Sequence, residues 1–187
     1  MRVTFTRQRD YEIGYALVER DDGVVYRILE GRDRPALPHD LRHLIVEREL
    51  GVTDGIWGGI AAGMVFQSMQ HVGGRRPPHA AERSAEMIRT CRDRLLRAEL
   101  LASTVEAIAV LDDPSPAAIR AITSAKLSLL RGTGPADETF AAAARAMQVE
   151  TARWARLRAG EELSYEWRTS GRVPARTARI GNVSGHG

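Results

Sequence analysis

The apolar residues change period along this chain, and no other feature constrains its fold as tightly. From Arg2 to Thr6, and in part from Glu12 to Val18, polar and apolar side chains alternate, and Val24 to Leu29 is rich in β-branched and aromatic types. Asp21, Asp22 and Gly23 between the second and third runs form a hairpin signal. The spacing predicts an antiparallel meander over 1–31. Leu163, Tyr165 and Trp167 return to the same alternation, which predicts one more strand able to join that sheet. Everything between is punctuated for helices. The charged stretch Gly31 to Pro35 reads as the link.

Pro38 and Gly51 bracket a first helix, proline being favoured at a helix start and glycine at its left-handed stop. A second helix is expected from Asp54 to about His71, ended by Gly73, Gly74, Pro77 and Pro78. From Ala80 to Leu111 there is neither glycine nor proline, and Ile88, Cys91, Leu95, Ala98, Ala102, Val105 and Ala109 step by three and four. This segment reads as one long helix, or as two with a break near Ala102, where Ser103 and Glu106 resemble a capping box. Ser115 and Pro116 open a helix carrying Ile119, Ile122, Leu127 and Leu130 that stops at Gly132. Pro135 opens the next, with Phe140, Ala144, Met147, Thr151, Trp154 and Leu157 on its apolar stripe and its end before Gly160.

The fold class implied is α+β: a bundle of about five helices over 37–160, beside a small antiparallel sheet from the N-terminus and residues near 163–167. Residues 1–168 read as one domain, and 169–187, with Arg172, Arg176 and Arg179 but no apolar periodicity, as a flexible basic tail.

Composition removes several function classes. The 27 basic residues exceed the 24 acidic ones by three, and all but Lys126 are arginine, the bias of a GC-rich, bacterial coding sequence. The helix arginines alternate with Glu82, Glu86, Asp93 and Glu99, which is the pattern of a solvated face and speaks against nucleic acid as a partner. One cysteine, Cys91, rules out an internal disulfide. No apolar run approaches the ~20 residues that cross a bilayer; together with the absence of a signal-peptide pattern, this makes a cytoplasmic, non-membrane protein the expectation. Neither a GxSxG elbow nor a phosphate-binding GKS/T is present.

Residues able to do chemistry concentrate in the first helix. His39, His43 and Glu47 fall at i, i+4 and i+8 on one face, and Asp40 follows the first histidine. Two imidazoles and a carboxylate suit one divalent metal, whether zinc, iron or manganese, with Glu47 or Asp54 completing the ligands and Asp40 as orienter or proton acceptor. Gly55, Gly59 and Gly63, at four-residue steps on the expected second helix, would leave space opposite the histidines, with Gln67 and His71 as further donors. Alternatively, His39, His43, Val46 and Leu50 form an ordinary core stripe with hydrogen-bonded imidazoles.

At His39, Asp40 and His43 the chain resembles the HDxxH zinc motif of the helical ubiquinone-biosynthesis family called Coq-four. That family continues to a glutamate twelve residues after the second histidine, where this chain has Gly55, with Asp54 one position before it. The resemblance spans five residues and implies a metal at the histidine pair. It leaves the N-terminal strands without a counterpart. Two function classes follow: a metal-dependent hydrolase or hydratase-like enzyme acting on an unknown small molecule, or a noncatalytic protein- or small-ligand-binding module that self-associates, as a homodimer, through the Ile88 to Ala109 seam.

Overall fold

A computed structural model describes residues 1–9, 14–29, 36–128 and 134–168. The expected link at 31–35, the positions of Leu130 and Gly132, and the expected tail lie outside the described residues.

The alternating runs pair as their periods require. Strands β1 (Arg2–Thr6), β2 (Tyr15–Glu19) and β3 (Val25–Leu29) form the meander, and a strand at Glu162–Glu166 lies along β1 on its other side. The registers Val3 with Val18 and Tyr165, and Phe5 with Ala16 and Leu163, bring the apolar members of three strands to one face. All six are buried. The β2–β3 turn is tight: Gly23 takes φ 79°, and Asp22 accepts the Val24 N–H at 3.2 Å.

Helix α1 (His39–Leu50) runs as its punctuation predicts, ending at Gly51 in the left-handed region with φ 67°. The second helix departs from expectation. It covers only Ile56–Ala62 (α2), and Gly63, at φ 120°, ends it. The residues expected to extend it to His71 instead form β4 (Met69–Gly73), an edge strand antiparallel to β3. The sheet order is therefore β4-β3-β2-β1-β5, with β5 the Glu162–Glu166 strand. Pairing with β3, burial of Met69 and an edge-on contact of His71 with Tyr26 at 5.7 Å outweigh weak local preference for a strand.

The glycines consequently do not line a helix face. Gly55 precedes α2, and a Cβ there would stand 2.7 Å from the Glu47 carboxyl carbon. This close approach lets Glu47 accept the N–H groups of Ile56 at 2.7 Å and Trp57 at 3.0 Å, so a side chain on α1 caps α2. Trp57, buried behind that cap, meets Phe5 edge-on at 6.2 Å and so joins helix to sheet.

The segment from Ala80 is two helices, α3 (Ala80–Thr90) and α4 (Arg92–Ala109), and the break falls at Cys91 rather than near Ala102. Ser103 forms no cap because its hydroxyl donates back to the Leu100 carbonyl at 3.1 Å. In α5 (Pro116–Leu127), Ser115 caps as expected, accepting the Ala118 N–H at 3.2 Å. Helix α6 (Asp137–Ala155) buries Phe140, Ala144, Met147 and Trp154. Helices α1, α5 and α6 pack on α4 and cover Ala98, Leu101, Ala102, Val105 and Ile108, so the C-terminal part of the seam is internal core. Among the described residues the fold is a mixed α+β arrangement of six helices and a five-stranded sheet.

Burial pushes the Glu47 carboxyl from 4.5 up to about 7, against the pull of the backbone N–H groups of Ile56, Trp57 and Gly58. With the folded value above the unfolded one, its contribution to stability is fully present below pH 4.5 and is lost as pH rises through about 7. Thermal or urea unfolding across that range should show a decline, at most about 3 kcal/mol, that Glu47→Gln flattens. Parallel pH profiles for the two proteins would contradict this.

Candidate metal centre

One group of three potential ligands closes among the described residues: His39, His43 and Glu99, with ligand atoms all within 4.8 Å of one another. Helix α1 supplies the histidines one turn apart, their rings 4.6 Å between centroids, and α4 supplies the carboxylate. His43 is the inner member, with a side chain 3% exposed, whereas His39 and Glu99 are 55% and 51% exposed. The group is thus anchored at the α1–α4 junction and open on one side.

Nε2 of His43 lies 3.3 Å from Oε2 of Glu99. That distance is a long hydrogen bond, and it is also the edge of a tetrahedron whose ligands sit about 2.0 Å from a central ion, about 3.3 Å. All three ligand atoms lie within 4.8 Å of one another, a bound wider than such an edge. His39, more than half exposed, is the side chain with freedom to swing inward.

The electrostatics favour a cation. The His43 N–H beside it holds the Glu99 carboxyl below the usual carboxylate range, and the same group feels both His39 and Arg42. Glu99 is therefore an anion at neutral pH, the form that ligates. The neighbouring guanidinium, Arg42, is engaged by Glu106, two turns along α4 from Glu99. Nδ1 of His43 is buried without a hydrogen-bond partner. If Nε2 took the metal, the proton left on Nδ1 would cost about 1–3 kcal/mol, against the ~10 kcal/mol or more that a bound structural zinc ion contributes. The orphaned nitrogen does not decide against ligation.

Asp40 stands beside His39, with Oδ1 3.4 Å from Nδ1, and this hydrogen bond is the main cause that raises the His39 pKa above 6.5. The other two carboxylates of the sequence reading lie elsewhere. Glu47 is committed to the α2 backbone, and Asp54, 60% exposed, faces Arg94 at 3.6 Å. The region opposite the histidines is α4, not the glycine-bearing segment Gly55 to Gly63, because α2 stops after two turns. In the sequence Glu99 alternates with the helix arginines, the pattern of a solvated face. The only trace of its role in the sequence is that Glu99 and Glu106 lie seven apart along the edge of the buried α4 seam, a spacing that acquires meaning only once α1 is docked there.

The chain was compared with protein-family models, curated proteins and solved structures. None matches. The HDxxH likeness therefore assigns no family, and the carboxylate that closes a group of three potential ligands with the histidine pair is Glu99, not a residue at position 55.

Metal-free protein titrated with zinc or manganese should take up one ion, and His43→Ala and Glu99→Gln should each weaken uptake at least about tenfold. Glu47→Gln should leave the affinity unchanged. Affinity lost in Glu47→Gln but retained in Glu99→Gln would reverse the assignment of the carboxylate.

Proposed function

We propose that the protein is a mononuclear, divalent-metal-dependent enzyme of the hydrolase or hydratase type, with His39, His43 and Glu99 as its protein ligands. The observation that carries this reading is the convergence of three donors from two helices on a half-open face, around a buried histidine. Three protein ligands with an open side leave a coordination position for water, as in catalytic rather than closed structural sites. A bound divalent ion supplies one piece of chemistry, lowering the pKa of a held water to about 7 so that it can act as a nucleophile.

The other roles fall to the chain's own side chains. Asp40, by its contact with Nδ1 of His39, orients the ring so that Nε2 can face the ligand group, and it is placed to accept a proton once that contact loosens. Arg42, tied to Glu106, fixes α1 against α4 and so sets the spacing between His43 and Glu99. Two imidazoles with one carboxylate suit zinc, iron or manganese.

A second reading, self-association through helices, is favoured by one feature. Leu96 is 58% exposed, and Ile88, Cys91 and Leu95 are only partly covered, so the N-terminal part of the seam offers apolar surface. Helix α3 is held to the body by Ser84, whose hydroxyl takes the Val65 N–H at 2.8 Å. Sedimentation at high micromolar concentration should show a dimer that Leu96→Glu dissociates; a strict monomer would count against this reading.

For the enzyme reading, chelator-treated protein should be inactive toward a panel of activated esters and hydratable carbonyl compounds, and stoichiometric metal should restore turnover. Asp40→Asn should lower that turnover about 10- to 100-fold. Turnover that survives both metal removal and His43→Ala would sink it.

A further inference from the structure

From Ala80 to Leu111 the sequence offers no glycine or proline, yet the helix breaks at Cys91. The break leaves its marks in the backbone. Cys91, at φ −98° and ψ 13°, sits in the bridge region, and the ladder that would carry the Arg92 N–H back to the Ile88 carbonyl is interrupted there. No side chain caps the start of α4. The Arg94 N–H turns to the carbonyl of Cys91, three residues back, at 3.0 Å. Thr90, whose hydroxyl donates to the Glu86 carbonyl at 2.9 Å, eases a bend without requiring one. Local preference therefore favours one continuous helix, and a contact outside the segment holds it bent.

That contact is made by one residue. Ser84 is the single buried side chain of α3, and its hydroxyl accepts the Val65 N–H at 2.8 Å and donates to the Val65 carbonyl at 3.2 Å. Val65 lies in the connection between α2 and β4. The other α3 side chains are exposed or only partly covered, so the helix sinks no apolar residue into the body of the fold. Its entry is bent as well. After Pro77 and Pro78, His79 takes φ 53°, a left-handed conformation uncommon for a residue other than glycine. Helix α3 is thus a short element between two turns, at His79 and Cys91, pinned near its middle by one serine.

We propose that α3 is a hinged strap with two positions. Docked on Val65 it stands bent from α4; released, it joins α4 in one helix from Ala80 to Ala109. Release gives up the two hydrogen bonds to Val65 and restores the rung from Arg92 to Ile88, removing the uncapped end of α4. Gains and losses are of one kind and similar in number, which keeps the two positions close in free energy. The consequence is a switchable surface. The docked strap covers the α2–β4 connection, whereas the straight helix uncovers it and sets Ile88, Cys91 and Leu95, spaced by three and four, along one unbroken face. The strap uses none of His39, His43 and Glu99 and stands whether or not a metal binds.

The test is amide hydrogen exchange, read residue by residue by NMR, on the full-length protein and two variants whose cooperative thermal unfolding is checked first. Ser84→Ala removes the pin. Loss of Val65 protection follows there from the missing hydroxyl alone, so the deciding amide is Arg92, whose exchange should slow about tenfold as the helical rung to Ile88 forms. Cys91→Ala leaves the pin intact and raises helix preference at the break. In that variant the deciding amide is Val65, whose exchange should quicken about tenfold as the strap spends more time released. Either result, in a variant that unfolds cooperatively, upholds the strap, and Cys91→Ala decides alone if Ser84→Ala fails to fold. Unchanged Arg92 exchange in Ser84→Ala together with unchanged Val65 exchange in Cys91→Ala overturns it, leaving Ser84 as a fixed contact of a permanently bent pair.

Discussion

Helix α1 buries two ionisable side chains one turn apart, His43 and Glu47, and the way each is satisfied organises the region around it. Burying a charge or a polar group without partners costs more than any single core contact returns. Glu47 meets this constraint by capping α2, which fixes the α1–α2 joint, brings its carboxylate where a Cβ at position 55 would crowd it and seats Trp57 against the sheet. His43 meets it only in part. One ring nitrogen faces Glu99 and the other is buried without a hydrogen-bond partner. Two neighbouring buried groups thus have opposite outcomes, one closed by backbone and one left with ligand capacity.

That asymmetry separates structure from chemistry on a single helix face. On spacing alone, His39, His43 and Glu47 form one continuous ladder of donors. Packing divides the ladder, turning Glu47 into the α2 cap and turning the histidines toward α4 and solvent. The Arg42–Glu106 ion pair runs beside the His43–Glu99 contact, so the two helices are joined at consecutive residues of α1 and at residues two turns apart on α4. A site built on such a junction is held by rigid elements, while its exposed members, His39 and Glu99, retain room to adjust to an ion.

Much of the fold was legible in the sequence because local signals and tertiary packing agreed there. The Asp21-Asp22-Gly23 turn, the Pro38 to Gly51 helix, the Ser115 cap and the return of alternation at Leu163 each state a conformation that the neighbouring elements reinforce. Structure and local signal part where tertiary contacts override weak local preference. Residues 69–73 carry one β-branched side chain and become a strand only because β3 offers an edge. Ser103 and Glu106 have the spacing of a cap, but both are engaged sideways, by Lys126 and Arg42, within a continuous α4. The histidine pair was visible from its i, i+4 spacing, whereas Glu99 was not, because its partner lies 56 residues away in sequence and no periodicity encodes that distance.

In the proposed metal centre His39, His43 and Glu99 hold one divalent ion together. Anomalous diffraction from metal-soaked crystals, with data on both sides of the metal's absorption edge, tests it most directly. A single strong peak is expected at the α1–α4 junction, about 2.0–2.2 Å from two imidazole nitrogens and a carboxylate oxygen. A peak beside Glu47 or Asp54, or no peak at the junction from crystals that demonstrably contain the metal, would contradict it.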